Sequence, residues 1–211
     1  MPKPFVRAIQ KTLEFLEKSK IQVEWLNLGG GFGIVYSQEQ ATTAQDFAGA
    51  IVPLVRDRQL KLILEPGRFI AGNCGILVCK VLYIKTGATG KRFAIVDAGM
   101  NDLLRPSLYE AYHSIQPVVT RKSDPYKYDV VGPICESGDY LALDRELPEL
   151  QAGEFLAVMG AGAYGYTMAS NYNSRPRPAE LLAFNGEVRV VRAAEQYRDL
   201  IRGEKILKEF K

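Results

Sequence analysis

An α/β segment followed by a mainly antiparallel β domain is the fold this sequence predicts, on three observations. Apolar residues first recur at helical spacing and then alternate with two short apolar runs, so residues 1–70 read as helix, strand, helix, strand. Both apolar runs end in loops rich in glycine or charge: Asn27-Leu28-Gly29-Gly30-Gly31-Phe32-Gly33 after the first, and Leu64-Glu65-Pro66-Gly67-Arg68 after the second. Beyond residue 70 the helical spacing gives way to short strand-like runs separated by turn residues, which assigns 71–211 to a second, β-rich domain.

The elements follow in order. Phe5, Ile9, Leu13 and Leu16 mark a first helix, and Val23 to Leu28 a strand that ends in the glycines. Thr42 or Thr43 can cap a second helix running to about Arg58, and Leu60 to Leu64 is a second buried strand. The interval fits one right-handed βαβ unit, which puts both loops at the same carboxyl edge of a parallel sheet, where α/β folds bind ligands. In the β-rich part, strands are expected over Ile76–Ile84, Phe93–Val96, Ile115–Thr120, Tyr128–Val131, Tyr140–Leu143 and Glu154–Met159. A turn spans Thr86 to Lys91, and a hairpin joins Ala179–Ala183 to Val188–Val191 across Asn185-Gly186. Short helices are expected at Pro106–Tyr112 and Ala194–Arg202.

Composition narrows the class. With 211 residues, 47% hydrophobic and 24% charged, the chain is long enough for one or two packed domains. The net charge of +3 is modest, and the basic stretch from Ile201 to Lys211 is interrupted by Glu204 and Glu209, so a solvated helix end is expected there and no nucleic-acid surface. No apolar run reaches eighteen residues and no signal-peptide core is present, which makes a cytoplasmic protein with no membrane partner the expectation. Cys74, Cys79 and Cys135 are odd in number and lack C-x-x-C spacing, and His113 is the only histidine. Neither a disulfide framework nor a metal site is expected. His113 reads as a packing or interface residue.

Three consecutive glycines let backbone N–H groups approach an anion with no Cβ in the way, and phosphate is the natural guest. The second loop adds Arg68, a bidentate partner for phosphate or carboxylate, and Glu65, a carboxylate able to hold a proton on a heterocyclic nitrogen. Known phosphate motifs do not fit: Ile34 breaks a G-x-G-x-x-G pattern, and Gly87 to Lys91 lacks the first glycine of a P-loop and continues into Arg92. A plain strand-to-helix turn remains the alternative for the glycines, and a strand-end pair with Arg68 the alternative for Glu65.

Five motifs in one order carry a family resemblance. Gly29-Gly30-Gly31-Phe32-Gly33, Glu65-Pro66-Gly67-Arg68, Asp97-Ala98-Gly99-Met100-Asn101-Asp102-Leu103-Leu104-Arg105-Pro106, Gly132-Pro133-Ile134-Cys135-Glu136-Ser137-Gly138-Asp139 and Gly160-Ala161-Gly162-Ala163-Tyr164-Gly165 resemble the diaminopimelate decarboxylase family of fold-type III pyridoxal phosphate enzymes. The resemblance runs from about residue 5 to residue 205. It implies that 1–70 is the remnant of a (β/α)8 alanine-racemase-like barrel, its last two βα units, and that 71–211 is the β domain. Members of the family carry an earlier barrel segment with a cofactor-linking lysine in a Val-Lys-Ala-Asn-like context and a histidine that stacks on the cofactor. Neither occurs here, so the chain is expected to be a fragment that is inactive by itself and needs the N-terminal barrel segment as a partner. Two strands cannot close a barrel, and their open edges favour pairing with another chain.

The resemblance also implies roles. Pyridoxal 5'-phosphate would be the cofactor, with Glu65 on its pyridine nitrogen and Gly29, Gly30, Gly31, Pro66, Gly67, Arg68 and Tyr164 around it. Cys135 would return a proton to the α-carbon, a task that suits a partly exposed thiol, and the Cys135-Glu136 pair would act in trans across a homodimer. Cys74 and Cys79 read as buried core residues of an apolar strand, the commoner fate of cysteine and the alternative for Cys135 as well. The amino-acid substrate meso-diaminopimelate has a carboxylate and an amine at its distal end. Arg105 with Tyr109 one turn on offers a guanidinium and a phenol to the carboxylate, Glu136 meets the ammonium, and Arg68 and Tyr164 complete the substrate set. A surface pair of Arg105 with Asp102 or Glu110 is the plainer reading. An ornithine- or arginine-type decarboxylase and a non-catalytic chain that binds a partner remain alternatives.

Overall fold

A computed structural model describes residues 3–37, 40–120 and 123–207. The chain divides into two compact units, residues 1–75 and 76–211.

In the first unit, α1 (Lys3–Ser19) buries Ile9 and Leu13, the apolar face read from the sequence spacing. The strand β1 is shorter than expected, Trp25–Asn27, and only Leu26 turns inward. Helix α2 (Ala44–Arg56) starts on Thr43, which accepts from the Asp46 amide while Asp46 accepts from the Thr43 amide. This reciprocal cap satisfies two amides that the first helical turn leaves without partners. Phe47, Ile51 and Val55 of α2 close over α1 and Leu26. The strand β2 (Lys61–Ile63) pairs in parallel with β1, as a βαβ unit requires. A short helix that the sequence reading missed, α3 (Gly67–Ala71), follows directly on the second loop.

The second unit is built on six strands: β3 (Leu77–Thr86), β4 (Arg92–Val96), β5 (Ile115–Pro117), β6 (Pro125–Val131), β7 (Tyr140–Pro148) and β8 (Phe155–Val158), in the order β5-β8-β3-β4-β6-β7. All neighbours are antiparallel except β4 and β6, which run parallel. That pair makes the sheet mixed, because the chain leaves β4, forms α4 (Arg105–Tyr109) and β5, and returns in the same direction. The two edge strands curl toward each other, and Arg145 of β7 donates to the carbonyl of His113, just before β5, at 2.6 Å. Inside lie Val81, Val96, Leu103, Tyr128, Val130, Leu141, Leu156 and Val158, all nearly or wholly inaccessible. After α5 (Gly165–Met168), the strands β9 (Glu180–Phe184) and β10 (Glu187–Arg192) form a separate hairpin. Asn185 and Gly186 both have positive φ, 50° and 80°, the turn that Asn-Gly specifies. The last helix, α6 (Tyr197–Leu200), is shorter than Ala194–Arg202, and of the basic C-terminal stretch Lys208 to Lys211 lie outside the described residues. The expected strand Ile115–Thr120 ends at Pro117, whereas β7 continues five residues past the expected Leu143.

Candidate active site

In the first unit the parallel ladder runs on past both strands and joins the two loops. The Leu28 amide donates to the Ile63 carbonyl at 3.0 Å, and the Glu65 amide donates to the Gly29 carbonyl at 2.9 Å. Gly29 and Gly31 adopt φ of +67° and +87°, which disfavour any side chain, and a Cβ on Gly30 would lie 2.6 Å from the Glu65 carbonyl oxygen. The glycine run is therefore required by close approach as well as by conformation. Phe32 fixes it from below, its ring 4.3 Å from that of Phe47 on α2.

Asn27 is a residue whose role the sequence did not reveal. Its side-chain oxygen accepts from the Gly29 amide at 2.8 Å, and its Nδ2 donates to Glu65 Oε1 at 2.7 Å. One side chain thus shapes the glycine loop and orients the exposed Glu65 carboxylate beside it. Pro66 precedes α3, which Gly67 and Arg68 begin, with the Gly67 amide donating to the Glu65 carbonyl at 2.9 Å.

In the second unit three loops gather the remaining predicted residues. The segment from Asp97 to Leu104 is shaped by Asp102, whose Oδ2 accepts from the Gly99 amide at 2.9 Å and whose Oδ1 accepts from Asn101 Nδ2 at 2.9 Å. Burial pushes the Asp102 carboxyl above its ordinary value. Both of its oxygens hold the loop in shape. Arg105 opens α4 half-buried, its guanidinium 5.3 Å from the Tyr164 ring, and Tyr109 stands exposed one turn further on. Tyr164 itself holds a left-handed backbone, φ 68°, ahead of α5.

Cys135 and Glu136 sit exposed in the loop between β6 and β7. Glu136 Oε1 accepts from the Ser137 amide at 2.9 Å, and its Oε2 accepts from the Tyr172 hydroxyl at 3.2 Å. The hydrogen bond to the Glu136 carboxylate raises the Tyr172 phenol, and the neighbouring Cys135 adds to the shift. Tyr172 was missed in the sequence because nothing near it in the chain carries acid or thiol; the fold supplies both.

Of the other two cysteines, Cys79 is buried as expected and Cys74 is not. Cys79 is buried in β3, its thiol pushed up to about 12 by burial and by Asp97 and Asp102. Cys74 is exposed, a correction, because Gly72–Cys74 turns as a 3-10 helix after α3 and the apolar strand begins only at Leu77. His113 is fully buried, with Nδ1 2.9 Å from the Met159 carbonyl. Among the described residues no group of three or more His, Cys, Asp or Glu is placed to hold a metal, and no helix is long and apolar enough to cross a membrane.

Residues 33–162 match the family model described as "Pyridoxal-dependent decarboxylase, C-terminal sheet domain". The chain belongs to that family. Pyridoxal-dependent decarboxylases similar to it include the diaminopimelate decarboxylase of Aquifex aeolicus, 50% identical over 198 residues that cover 92% of this chain and 47% of that protein. The diaminopimelate decarboxylase of Vibrio cholerae is 44% identical over 210 residues, 98% of this chain and 50% of the relative. Among solved structures, the Helicobacter pylori diaminopimelate decarboxylase complexed with L-lysine superposes with a TM-score of 0.86 at 42% identity, over 96% of this chain and 50% of that one. The M. jannaschii enzyme in co-complex with L-lysine gives a TM-score of 0.91 at 37% identity, over 97% and 49% of the two chains. The chain spans about half the length of the curated relatives it matches.

Proposed function

We propose that this chain supplies the C-terminal half of a cytoplasmic, homodimeric, pyridoxal phosphate-dependent decarboxylase that converts meso-diaminopimelate to L-lysine and carbon dioxide. The residues present fit the cofactor. Gly29 to Gly31 form a side-chain-free cradle for an anion, and the Glu65 carboxylate is held beside it by Asn27. In this reading Gly29, Gly30, Gly31, Gly67 and Arg68 receive the phosphate with help from the Tyr164 hydroxyl, and Glu65 keeps a proton on the pyridine nitrogen. Pyridoxal phosphate, when bound, supplies a sink for the electrons left behind as carbon dioxide departs. The barrel origin of residues 1–70 and the division of labour between 1–70 and 71–211 belong to the same proposal, supported by the parallel β1–β2 pair.

The chain's own residues then divide the work. Arg105 and Tyr109 receive the distal carboxylate, Glu136 receives the distal ammonium, and Arg68 and Tyr164 complete the substrate contacts. Cys135 delivers a proton to the α-carbon, from an exposed loop position open to a partner subunit. Tyr172 holds Glu136 in place by donating to it. By itself the chain does not turn over, because it lacks a lysine in the cofactor-linking context.

The single observation that carries the substrate assignment is Arg105, half-buried on α4 against the Tyr164 ring. A decarboxylase for ornithine or arginine has only a cation to meet at that end, for which an arginine is the wrong charge. In the enzyme completed with the N-terminal barrel segment, Arg105→Ala leaves cofactor binding intact and removes the partner of the distal carboxylate. Loss of one member of a desolvated charge pair costs about 2 to 5 kcal/mol, a fall in kcat/KM of roughly 30-fold to several thousand-fold. Normal turnover of diaminopimelate by this variant, or a parent enzyme that prefers ornithine or arginine, overturns the assignment.

A further inference from the structure

We infer that Asp139 is a positioning residue that braces the Cys135–Glu136 loop against the segment carrying Arg105, an inference that rests on the roles proposed for those residues. Asp139 closes the loop just before β7 and is only 5% exposed. Its two carboxylate oxygens serve two different loops. Oδ2 accepts from the Ile134 amide at 2.6 Å, next to Cys135, and Oδ1 accepts from the Met100 amide at 2.7 Å, on the run that leads into α4. Its backbone closes its own loop as well, the Asp139 amide donating to the Glu136 carbonyl at 3.1 Å and the Gly132 amide donating to the Asp139 carbonyl at 3.2 Å.

The fit around this carboxylate explains two of the glycines. A Cβ on Gly99 would stand 2.8 Å from Asp139 Oδ1, and a Cβ on Gly132 would stand 2.6 Å from Oδ2 and 2.6 Å from the Gly99 Cα. Both backbones approach the carboxylate more closely than any side chain allows. A second tie lies on the far side of Arg105, where the Ser107 hydroxyl donates to the Gly138 carbonyl at 2.5 Å. Arg105 is therefore flanked by Met100 and Ser107, each hydrogen-bonded to the loop that bears Cys135 and Glu136. Amides bonded to a charged acceptor are held more firmly than amide–carbonyl pairs, so the 100–107 segment cannot slide along the 134–138 loop without losing them.

Two substitutions separate this brace from an ordinary core contact. Asp139→Ala removes both acceptors; Asp139→Asn keeps one carbonyl oxygen and replaces the other with an amino group that cannot accept. Hydrogen exchange on the 211-residue chain is the readout, with alkylation of the buried Cys79 thiol reporting whether the unit stays folded. The expected result is exchange faster by roughly tenfold or more at both Met100 and Ile134 in Asp139→Ala, at one of the two in Asp139→Asn, and no gain in Cys79 labelling. Unchanged protection at both amides, or Cys79 labelling that rises in step with amide exchange, overturns the brace. In the completed enzyme, Asp139→Asn is expected to lower kcat for diaminopimelate with cofactor affinity unchanged; full activity alongside loosened amides overturns the positioning role. A parent enzyme that fails to turn over diaminopimelate overturns the functional reading, and the amide arm then decides the brace by itself.

Discussion

The Cys79 thiol, sealed in β3 and pushed up to about 12, stays protonated at neutral pH, whereas Cys135 stands in an exposed loop beside Glu136 and Tyr172. The same side chain is sealed from solvent in one setting and exposed in the other, where the proposed function has it deliver a proton. In the completed enzyme, Cys135→Ala is expected to lower kcat by about 100-fold or more, the usual worth of a positioned proton donor, with KM nearly unchanged; steady-state kinetics decide it, and unaltered kcat removes Cys135 from the mechanism. His113 offers a second residue-scale outcome. Burial holds its imidazole below the ordinary value of 6.5. A depressed folded-state value means the unfolded chain binds the proton more readily, so His113 contributes stability above pH 6.5 that is lost as pH falls through the folded value. Because it is the only histidine, thermal melts between pH 7.5 and pH 5.5 are expected to show a decline that His113→Gln flattens. An equal decline in that variant assigns the slope to other groups.

Thr43 caps α2, and α2 carries Phe47, on which Phe32 and hence the glycine loop rest. Thr43→Ala is expected to cost about 1 kcal/mol, measured by denaturant unfolding; a loss well below that level puts the stability of this helix in its packing. That cap was legible in the sequence, as were the βαβ order, the Asn185-Gly186 hairpin and the glycine and Glu65 loops, because each is encoded by neighbours a few residues apart. Pairing between distant segments was not legible. The parallel β4–β6 contact joins residues more than thirty positions apart, and nothing in either run of apolar residues specifies its direction. Tyr172 reaches Glu136 across 36 positions, and Asn27 reaches Glu65 across 38, so both contacts exist only once the chain has folded. Cys74 misled for a local reason: its apolar neighbours suggested a strand, but Gly72 and Gly75 bracket it in a turn.

At the scale of the whole molecule, the β1–β2 pair is a two-stranded parallel sheet that packs against α1 and α2 and, among the described residues, has no further strand on either edge. The relatives that this chain matches are about twice its length, which agrees with the proposal that an N-terminal barrel segment completes the sheet and brings the cofactor-linking lysine. The loops around Glu65, Arg105 and Cys135 are shaped by contacts within their own units. The most direct measurement is release of carbon dioxide from meso-diaminopimelate with pyridoxal phosphate present, made on the 211-residue chain alone and again with the N-terminal barrel segment of a relative supplied in the same reaction. The account predicts no release from the chain alone and lysine-forming release from the pair; release by the chain alone, or none from a pair shown to associate, contradicts it.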